Sequence, residues 1–412
     1  MYAAALRDRY AGSAELVGLC DPNPARMAFQ CKDLGISPVC FEPAEFTDKA
    51  AELAADVVIV TSMDRTHDRY IIEALESGKN VITEKPMTTD EQKCRSILRA
   101  KERSGGDLTV TFNYRYSPRN SAVKQALSDG AIGDVHSVHF EWLLDTRHGA
   151  DYFRRWHRDK RNSGGLMVHK ASHHFDLVNW WLGARPESAF GFGDLTFYGR
   201  ANADQRGVPP RRYRSKDNLR DGPGDRWDID ISSDALMVGL YQDPEPHDGY
   251  LRDRDVFSDG ISIEDDMSVL VRYETGATMT YHLTAYSPWE GYRVMFNGSE
   301  GRLELEVVER AHLADTADID PSALEKAPTH HRTSLTVQRH WGLPETIPIE
   351  EGNGGHGGGD TRLLDDLFGA EPPTDPLGRA AGHMDGAYAM LIGAAANRSF
   401  ATGQPIRIAD LM

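Results

Sequence analysis

The stretch DVVIVTSMDRTHDRYIIEALESGKNVITEKP, residues 56–86, decides the fold because it places a helix-length segment between two short apolar runs. The first run, DVVIVTS (56–62), is rich in β-branched residues, and the second, NVITEKP (80–86), is stopped by Pro86. The segment between them, HDRYIIEALESGK (67–79), is predicted to be a helix. A strand, a helix and a strand in this order predict a parallel βαβ unit.

The same alternation extends to both sides of this stretch. It is made up of a strand ELVGLCD (15–21), a helix PARMAFQCKDLG (24–35), a helix TTDEQKCRSILRAKERSGG (88–106) that Thr89 could cap, and a last strand LTVTFNYRY (108–116). We therefore predict the α/β class, with a Rossmann-like, doubly wound parallel sheet over residues 1–117.

The pattern changes after residue 117. A strand DVHSVHFEWLLD (134–145) lies between two amphipathic stretches, and further strands follow within 267–297. Residues 199–260 are crowded with Arg, Asp, Gly and Pro, which predicts a long excursion with little regular structure. We predict that residues 118–412 form an α+β domain with an open, largely antiparallel sheet and a C-terminal helix.

Composition excludes several classes of protein. The net charge of −17 argues against a nucleic-acid binder, and no apolar run approaches the ~20 residues that span a bilayer. Four cysteines show no CxxC pairing, and the N-terminus lacks the order of a signal peptide. A cytoplasmic protein with reduced thiols is expected, with no nucleic-acid or membrane partner.

A doubly wound nucleotide-binding domain opens with a strand and a G-x-G-x-x-G turn, and this sequence has neither. The acidic residue that meets the adenosine ribose lies about 20 residues past those glycines. Asp21 ends the strand ELVGLCD, so the glycines would fall just upstream of Met1. We expect a sheet that lacks its first, central strand, so that two neighbouring strands lose a hydrogen-bond partner. Either a start codon assigned too late or a true deletion would explain this.

The segment SGGLMVHKASHHFDLVNWWLG, residues 163–183, concentrates titratable side chains. At helical period His169, His173 and Asp176 fall on one face, with Lys170 and His174 on the adjoining stripe. A polar surface helix, a catalytic helix and half of a metal site all fit this spacing. No Glu stands beside the first His as a zinc protease helix requires, so no metal is predicted.

At NVITEKP and SGGLMVHKASHHFD the sequence resembles the glucose–fructose oxidoreductase / inositol dehydrogenase (Gfo/Idh/MocA) family. The resemblance covers essentially the whole chain. It implies a dinucleotide-binding domain followed by an α/β domain whose open sheet often serves as an oligomer interface. The implied reaction is oxidation of a sugar or cyclitol hydroxyl, or the reverse reduction, with NAD or NADP; a homodimer or homotetramer is plausible.

The resemblance also implies site residues. Its cofactor-binding positions correspond to Asp21, Thr61, Ser62, His67, Glu84 and Lys85. The Lys85–Pro86 bond resembles one that the family often holds cis, which would aim Lys85 into the cleft. Tyr114 and Arg115 belong to a segment that resembles one lining the substrate site.

The family's helix motif, Asp-x-Gly-x-His-x-x-Asp, is altered in this chain. His173 and Asp176 keep the His and the final Asp, whereas His169 stands at the first Asp and Ala171 at the Gly. This departure suggests a subgroup with a differently charged pocket.

Removing a hydride from a secondary alcohol requires a base for the hydroxyl proton and a positive charge beside the developing alkoxide. Histidine titrates near neutrality, so we assign His173 as general base and Lys85 as the orienting cation. His169 is a further catalytic candidate in a proton relay. Predicted substrate-binding residues, besides Tyr114 and Arg115, are Lys170, His174, Trp156 and His356.

His356 lies in the glycine-rich stretch EGNGGHGGGD (351–360), which is either a wall of the substrate pocket or a plain surface loop. For the cofactor, NAD is expected over NADP because a carboxylate at Asp21 accepts a ribose 2′-OH and repels a 2′-phosphate. Arg26, one turn into the next helix, could soften that preference.

Two other functions remain open. One is redox-neutral cleavage of a glycoside, in which NAD oxidises a ring hydroxyl transiently. The other is a non-catalytic, sugar-binding relative.

Overall fold

The computed structural model of the chain describes residues 1–222, 224–313, 332–350, 355–371 and 373–412, with side chains from Gly357 onward in the fourth range. Residues 1–117 contain five short strands: β1 (Gly18–Cys20), β2 (Val39–Phe41), β3 (Val57–Val60), β4 (Asn80–Thr83) and β5 (Leu108–Val110). The apolar runs predict all of them except β2. The helices that connect them are α1 (Tyr2–Arg7), α2 (Pro24–Leu34), α3 (Phe46–Glu52), α4 (His67–Glu76) and α5 (Glu91–Arg103).

All pairings among these strands are parallel, as a βαβ pattern requires. They form two separate sheets, β1–β2 and β3–β4–β5. Within residues 1–117, β1 bonds only to β2, and β3 bonds only to β4. Val57 of β3 is 39% exposed, an unusual value for a strand of a parallel sheet. Each of these two strands therefore has one edge without a strand partner within residues 1–117, as expected if a central strand is missing.

The predicted strand over residues 108–116 is wrong in its second half. β5 ends at Val110, and Asn113–Tyr116 forms a 3₁₀ turn. The backbone N–H groups of Phe112 and Asn113 bond to carbonyls only two residues back, which turns the chain out of the sheet. The predicted helix cap at Thr89 is also wrong, because the Asp90 side chain accepts the bond from the Lys93 N–H.

The second part of the chain is built on a nine-stranded mixed sheet in the order β13-β12-β11-β10-β6-β9-β8-β7-β14, in which only the β6–β9 pair is parallel. Its strands are β6 (Val135–Asp145), β7 (Pro186–Asp194), β8 (Asp266–Tyr273), β9 (Thr278–Ser287), β10 (Glu290–Gly298), β11 (Gly301–Arg310), β12 (Arg332–Arg339), β13 (Glu345–Ile347) and β14 (Ile406–Arg407). The predicted fold class is confirmed.

Helices cover one face of this sheet. They are α6 (Pro118–Ser128), α7 (Thr146–Arg154), α8 (Lys160–Ser163), α9 (Leu166–His169), α10 (Ser172–Leu182), α15 (Gly359–Phe368) and α16 (His383–Thr402). Along β8, Met267, Val269 and Val271 are buried, whereas the alternate positions are exposed. The buried apolar core continues from the parallel strands into the nine-stranded sheet.

The predicted excursion carries only short helices among its described residues: α11 (Arg200–Gln205), α12 (Ser215–Asp221), α13 (Ala235–Met237) and α14 (Glu245–Asp248), with a π-helical turn at Val238–Gln242. Its tip rests on α2. The Cβ of any larger residue at Gly239 would lie 2.0 Å from the Phe29 ring, so glycine permits this close approach. Asp248 bonds there to Arg26 at 2.8 Å.

Candidate active site at the carboxyl ends of the parallel strands

The predicted site residues gather where β3, β4 and β5 end. Asp64 follows β3, Lys85 follows β4, and Tyr114 follows β5. Because these strands are parallel, their carboxyl ends meet at one edge, which is where open α/β sheets bind their ligands.

His67 fixes the backbone of this edge. Its ring nitrogens lie 2.9 Å from the Pro86 carbonyl oxygen and 2.9 Å from the Ser62 carbonyl oxygen, and the ring is buried. The Lys85–Pro86 bond is cis, as the resemblance implies. Since both ring nitrogens of His67 face backbone carbonyls, the geometry favours positioning of the two loops over the predicted direct contact with a cofactor.

Lys85 links the parallel sheet to the histidine-bearing segment. Its Nζ donates to the backbone carbonyl of His169 at 3.0 Å. Burial lowers the pKa of Lys85, and the nearby Asp64 and Glu84 carboxylates oppose that shift. Glu84 itself accepts a bond from the Tyr2 hydroxyl at 2.8 Å. The predicted catalytic lysine is thus held at the site with carboxylates beside it.

The histidine-bearing segment begins at a glycine turn. Gly164 has φ +70°, and a Cβ there would lie 2.8 Å from the Thr89 carbonyl oxygen and 2.8 Å from the Val168 Cβ. A side chain at this position would be strained and would push the segment away from the loop after β4. Glycine therefore lets α9 approach Lys85.

The prediction of one continuous helical face is wrong. The segment is broken into α9 and α10 at Lys170–Ala171, where the Ala171 N–H bonds to the Leu166 carbonyl five residues back. His169 consequently turns toward Asp64, while Asp176 faces Arg115.

His169 and Asp64 form a close buried contact. The Nδ1 atom of His169 lies 2.5 Å from Oδ2 of Asp64. Burial raises the pKa of Asp64 to about 7. Burial, together with Lys85 and Arg155, lowers the pKa of His169 well below its ordinary value.

Aromatic rings enclose His169. The His157 ring lies 4.3 Å away edge-on, Tyr152 lies 5.7 Å away, and Trp156 lies 5.8 Å away. The predicted substrate residue Trp156 is partly buried and stacks on His157 at 3.6 Å. Trp156 therefore belongs to the wall beside His169.

His173, the predicted base, lies in a second aromatic group. Its ring stacks on Tyr114 at 4.4 Å, and it is 4% exposed. The Nζ of Lys170 lies 3.4 Å from the Tyr114 hydroxyl and 4.8 Å from the centre of the Trp142 ring. The structure thus brings His173, Lys170 and Tyr114 together, in agreement with their prediction as one site.

Two predicted substrate residues are engaged inside the core. His174 is fully buried, with Nδ1 2.6 Å from the Tyr281 hydroxyl, and burial lowers its pKa well below the ordinary value. Arg115 donates to Asp176 through two bonds of 2.7 and 2.5 Å and to Asp385 at 2.9 Å. These contacts favour structural roles for both residues. The side chain of His356 lies outside the described residues.

The predicted ribose residue, Asp21, follows β1 in the other parallel sheet. Oδ1 of Asp21 accepts from the Asn23 N–H at 2.7 Å and from Arg26 at 3.1 Å. Arg26 also bonds to Asp248 from the excursion, so one guanidinium lies between two carboxylates.

Sequence reasoning missed Asp64, Tyr152, Arg155 and His157. Asp64 stands in the loop directly after β3, and a polar residue at that point of a parallel sheet is a usable signal. The other three belong to DYFRRWH (151–157), where aromatic and charged residues alternate just before the glycine turn.

Comparisons with known proteins agree with this architecture. Residues 1–112 match the model of the oxidoreductase family's NAD-binding Rossmann fold, and residues 124–408 match its C-terminal alpha/beta domain. The chain belongs to the Gfo/Idh/MocA oxidoreductase family. The predicted family and enzyme class, a dehydrogenase acting on CH–OH groups, are confirmed.

Two curated proteins and one solved structure illustrate what the chain is similar to. YteT of Bacillus subtilis (strain 168) is 36% identical over 427 residues, which cover 100% of this chain and 95% of YteT. Inositol 2-dehydrogenase of Rhizobium meliloti (strain 1021) is 32% identical over 144 residues, or 34% of this chain and 42% of that protein. A solved levoglucosan dehydrogenase complex with NADH and L-sorbose shares the fold, with a TM-score of 0.66, 16% identity and coverage of 98% of this chain and 94% of that one.

The described residues fit the dinucleotide that the family model implies. Thr61 and Ser62 are exposed at the carboxyl edge, and the Asp21 side chain is 30% exposed at the end of β1. Hydroxyls, a carboxylate and the Lys85 ammonium, each at the carboxyl end of a parallel strand, are suitable partners for ribose hydroxyls and polar ring substituents.

Two further properties concern the part of the chain that the structure describes. No cluster of three or more His, Cys, Asp or Glu side chains there could hold a metal ion. None of its helices is long and apolar enough to cross a bilayer.

The Arg115–Asp176 pair should be a strong determinant of stability. Asp176→Asn removes the charge of a carboxylate that is 1% exposed and leaves Arg115 buried, so we expect a loss of about 3–5 kcal/mol in urea denaturation. Asp385→Asn is the matched control, because that carboxylate bonds to the same guanidinium but is 42% exposed. Equal losses for the two variants would contradict a buried ion pair as the main cause.

Proposed function

We propose that the chain is an NAD-dependent dehydrogenase that transfers hydride between nicotinamide and a hydroxyl-bearing carbon of a sugar, sugar derivative or cyclitol. The observation that carries the proposal is the Lys85 ammonium, held 3.0 Å from the His169 carbonyl oxygen where β3, β4 and β5 end. The Gfo/Idh/MocA membership and the sugar or cyclitol names of its relatives support the substrate class.

The residues of the site divide the chemistry between them. Bound NAD supplies the acceptor for the hydride. Lys85 orients the substrate hydroxyl and stabilises the negative charge that develops on its oxygen. His173 accepts the hydroxyl proton, and its stacking on Tyr114 fixes the plane of the ring. Lys170, held over Trp142, adds positive charge on the same side.

The partly buried aromatic wall suits a carbohydrate. Trp156 and Tyr152 lie beside His169 and present ring faces and edges. The C–H face of a sugar or cyclitol ring is apolar, whereas its rim carries hydroxyls. Aromatic rings beside Lys85, His169 and His173 match both parts of such a substrate.

Lys85→Ala should reduce kcat for hydroxyl oxidation by on the order of 10²-fold or more, because the developing alkoxide loses its cation. The measurement is NADH absorbance with a panel of sugars and cyclitols, with aglycone release from glycosides followed in parallel. Lys79→Ala is the matched control, since Lys79 precedes the same strand β4 at its opposite end.

Near-native turnover of Lys85→Ala would contradict the proposed role. Release of an aglycone by the wild type without net NADH would favour redox-neutral glycoside cleavage instead.

A preference for NAD over NADP follows from the charges around Arg26. Asp21 and Asp248 both bind its guanidinium, so the cation is neutralised and the net charge of the three groups is negative. A ribose 2′-phosphate would meet this negative charge, whereas a 2′-OH can donate to Asp21.

Asp248→Ala should leave Arg26 paired with Asp21 alone and tighten NADP binding by about 5-fold, the equivalent of ~1 kcal/mol for a partly exposed ion pair, while NAD binding changes little. Titration calorimetry with each nucleotide checks this. Asp243→Ala, at an exposed position of the same segment, is the control. Unchanged NADP affinity in Asp248→Ala would show that Arg26 does not face the 2′ position.

The open face of the nine-stranded sheet favours a homodimer or homotetramer, and the protein is proposed to act in the cytoplasm. Phe192 and Leu270 on that face are 65% and 53% exposed. Exposed apolar side chains on neighbouring strands mark a protein interface.

Leu270→Glu should lower the molar mass in size-exclusion chromatography with light scattering, because it places charge in the proposed interface. Leu236→Glu, at a leucine of the excursion that is 44% exposed, should leave the mass unchanged. An unchanged mass for Leu270→Glu would move the interface elsewhere.

A further inference from the structure

The helix motif of this chain has lost a carboxylate, and the structure supplies another. His169 occupies the position of the first Asp in the motif Asp-x-Gly-x-His-x-x-Asp. Asp64, on the loop after β3, reaches its ring from a different element, with 2.5 Å between Oδ2 and Nδ1. Both side chains are largely buried, at 5% exposure for Asp64 and 12% for His169.

We propose that Asp64 and His169 form a dyad that takes up and releases one proton as a unit and serves as the proton store of the active site. Asp64 is the positioning residue of this dyad, and His169 Nε2 is the atom that gains or loses the proton. This inference rests on the proposed dehydrogenase function for its catalytic consequence. The dyad itself is defined by the contact between the two side chains.

The contact fixes which nitrogen is basic. With Asp64 ionised, Nδ1–H donates to Oδ2, so Nε2 carries the free lone pair. When a proton arrives, an Nε2–H bond forms and the Nδ1 proton shifts toward Oδ2. The dyad then changes from a charge of −1 to neutral, and no new cation is created.

That charge change suits the surroundings. Lys85 and Arg155 face both members of the dyad, His67 faces both as well, and Lys170 faces His169. The His157 ring lies 4.3 Å from the His169 ring. An imidazolium without a carboxylate would be opposed by the Lys85, Arg155 and Lys170 cations, whereas a pair that only becomes neutral is not.

The titration range agrees with a proton store. Burial raises the pKa of Asp64 to about 7, so the dyad exchanges its proton near neutrality. In the oxidation, the substrate O–H bond breaks and His173 takes the proton. The proton that His173 then releases is taken up by the dyad, where an Nε2–H bond forms on His169. The hydride leaves to bound NAD, so the dyad gains one proton and no electrons.

Nuclear magnetic resonance of ring-¹⁵N histidine tests the dyad without requiring turnover. In the wild type, His169 should be the Nδ1–H tautomer above pH about 7 and should gain a proton at Nε2 below it. In Asp64→Asn, whose amide N–H can donate to Nδ1, His169 should be held as the Nε2–H tautomer. The matched control is Asp68→Asn, because Asp68 is a carboxylate on α4 that pairs with Lys93 of α5. In this variant His169 should titrate as it does in the wild type.

The pH dependence of kcat gives the catalytic consequence. In the wild type, kcat should increase as the pH is raised through about 7, because the dyad loses its proton there. In Asp64→Asn this increase should be absent, and kcat should be lower by on the order of 10²-fold with KM nearly unchanged.

A wild-type His169 that shows no proton uptake near neutrality, or the same tautomer in Asp64→Asn, would overturn the dyad. An Asp64→Asn enzyme that retains the rise would overturn its role as proton store. The wild-type titration decides the dyad even if the variant fails to fold. If the wild type oxidises no sugar or cyclitol, the dehydrogenase proposal fails, and the tautomer measurement still decides the dyad.

Discussion

The contact between the Lys85 ammonium and the His169 carbonyl oxygen couples the two halves of the molecule. A partly buried ammonium requires acceptors, and the parallel sheet alone offers carboxylates on one side only. The carbonyl at the end of α9 completes its surroundings. To reach it, α9 must approach the loop after β4, which the glycine turn at Gly164 permits. The backbone turn at Gly164 and the acceptor for the Lys85 ammonium therefore depend on each other.

The same constraint explains why the histidine-bearing segment is not one straight helix. In a continuous helix His169 and Asp176 would share a face and compete for one surface. The break at Lys170–Ala171 sends His169 toward Asp64 at the sheet edge and Asp176 toward Arg115 in the core. One short segment thus provides both a titratable group for the site and a buried ion pair for the fold.

Sequence patterns predicted four of the five parallel strands because runs rich in β-branched residues, such as residues 57–60, depend on local composition. They failed over residues 111–116, where Phe112 and Asn113 make local backbone bonds that no apolar pattern encodes. The resemblance to the family predicted Lys85 and His173 as site residues, but it gave no reason to examine Asp64. Its importance arises from a contact 105 residues away in sequence, which depends on tertiary structure.

The excursion has a kinetic consequence. Its tip is joined covalently to the second part of the chain yet rests on α2 through Asp248 and the Gly239–Phe29 approach. Separation of the two parts must break these contacts, and their re-formation is intramolecular because the excursion is covalently tethered. Asp21 and Arg26 therefore lie beside a contact that must open if the two parts are to move apart. A nucleotide bound at Asp21, as proposed above, would exchange in step with the opening of that contact.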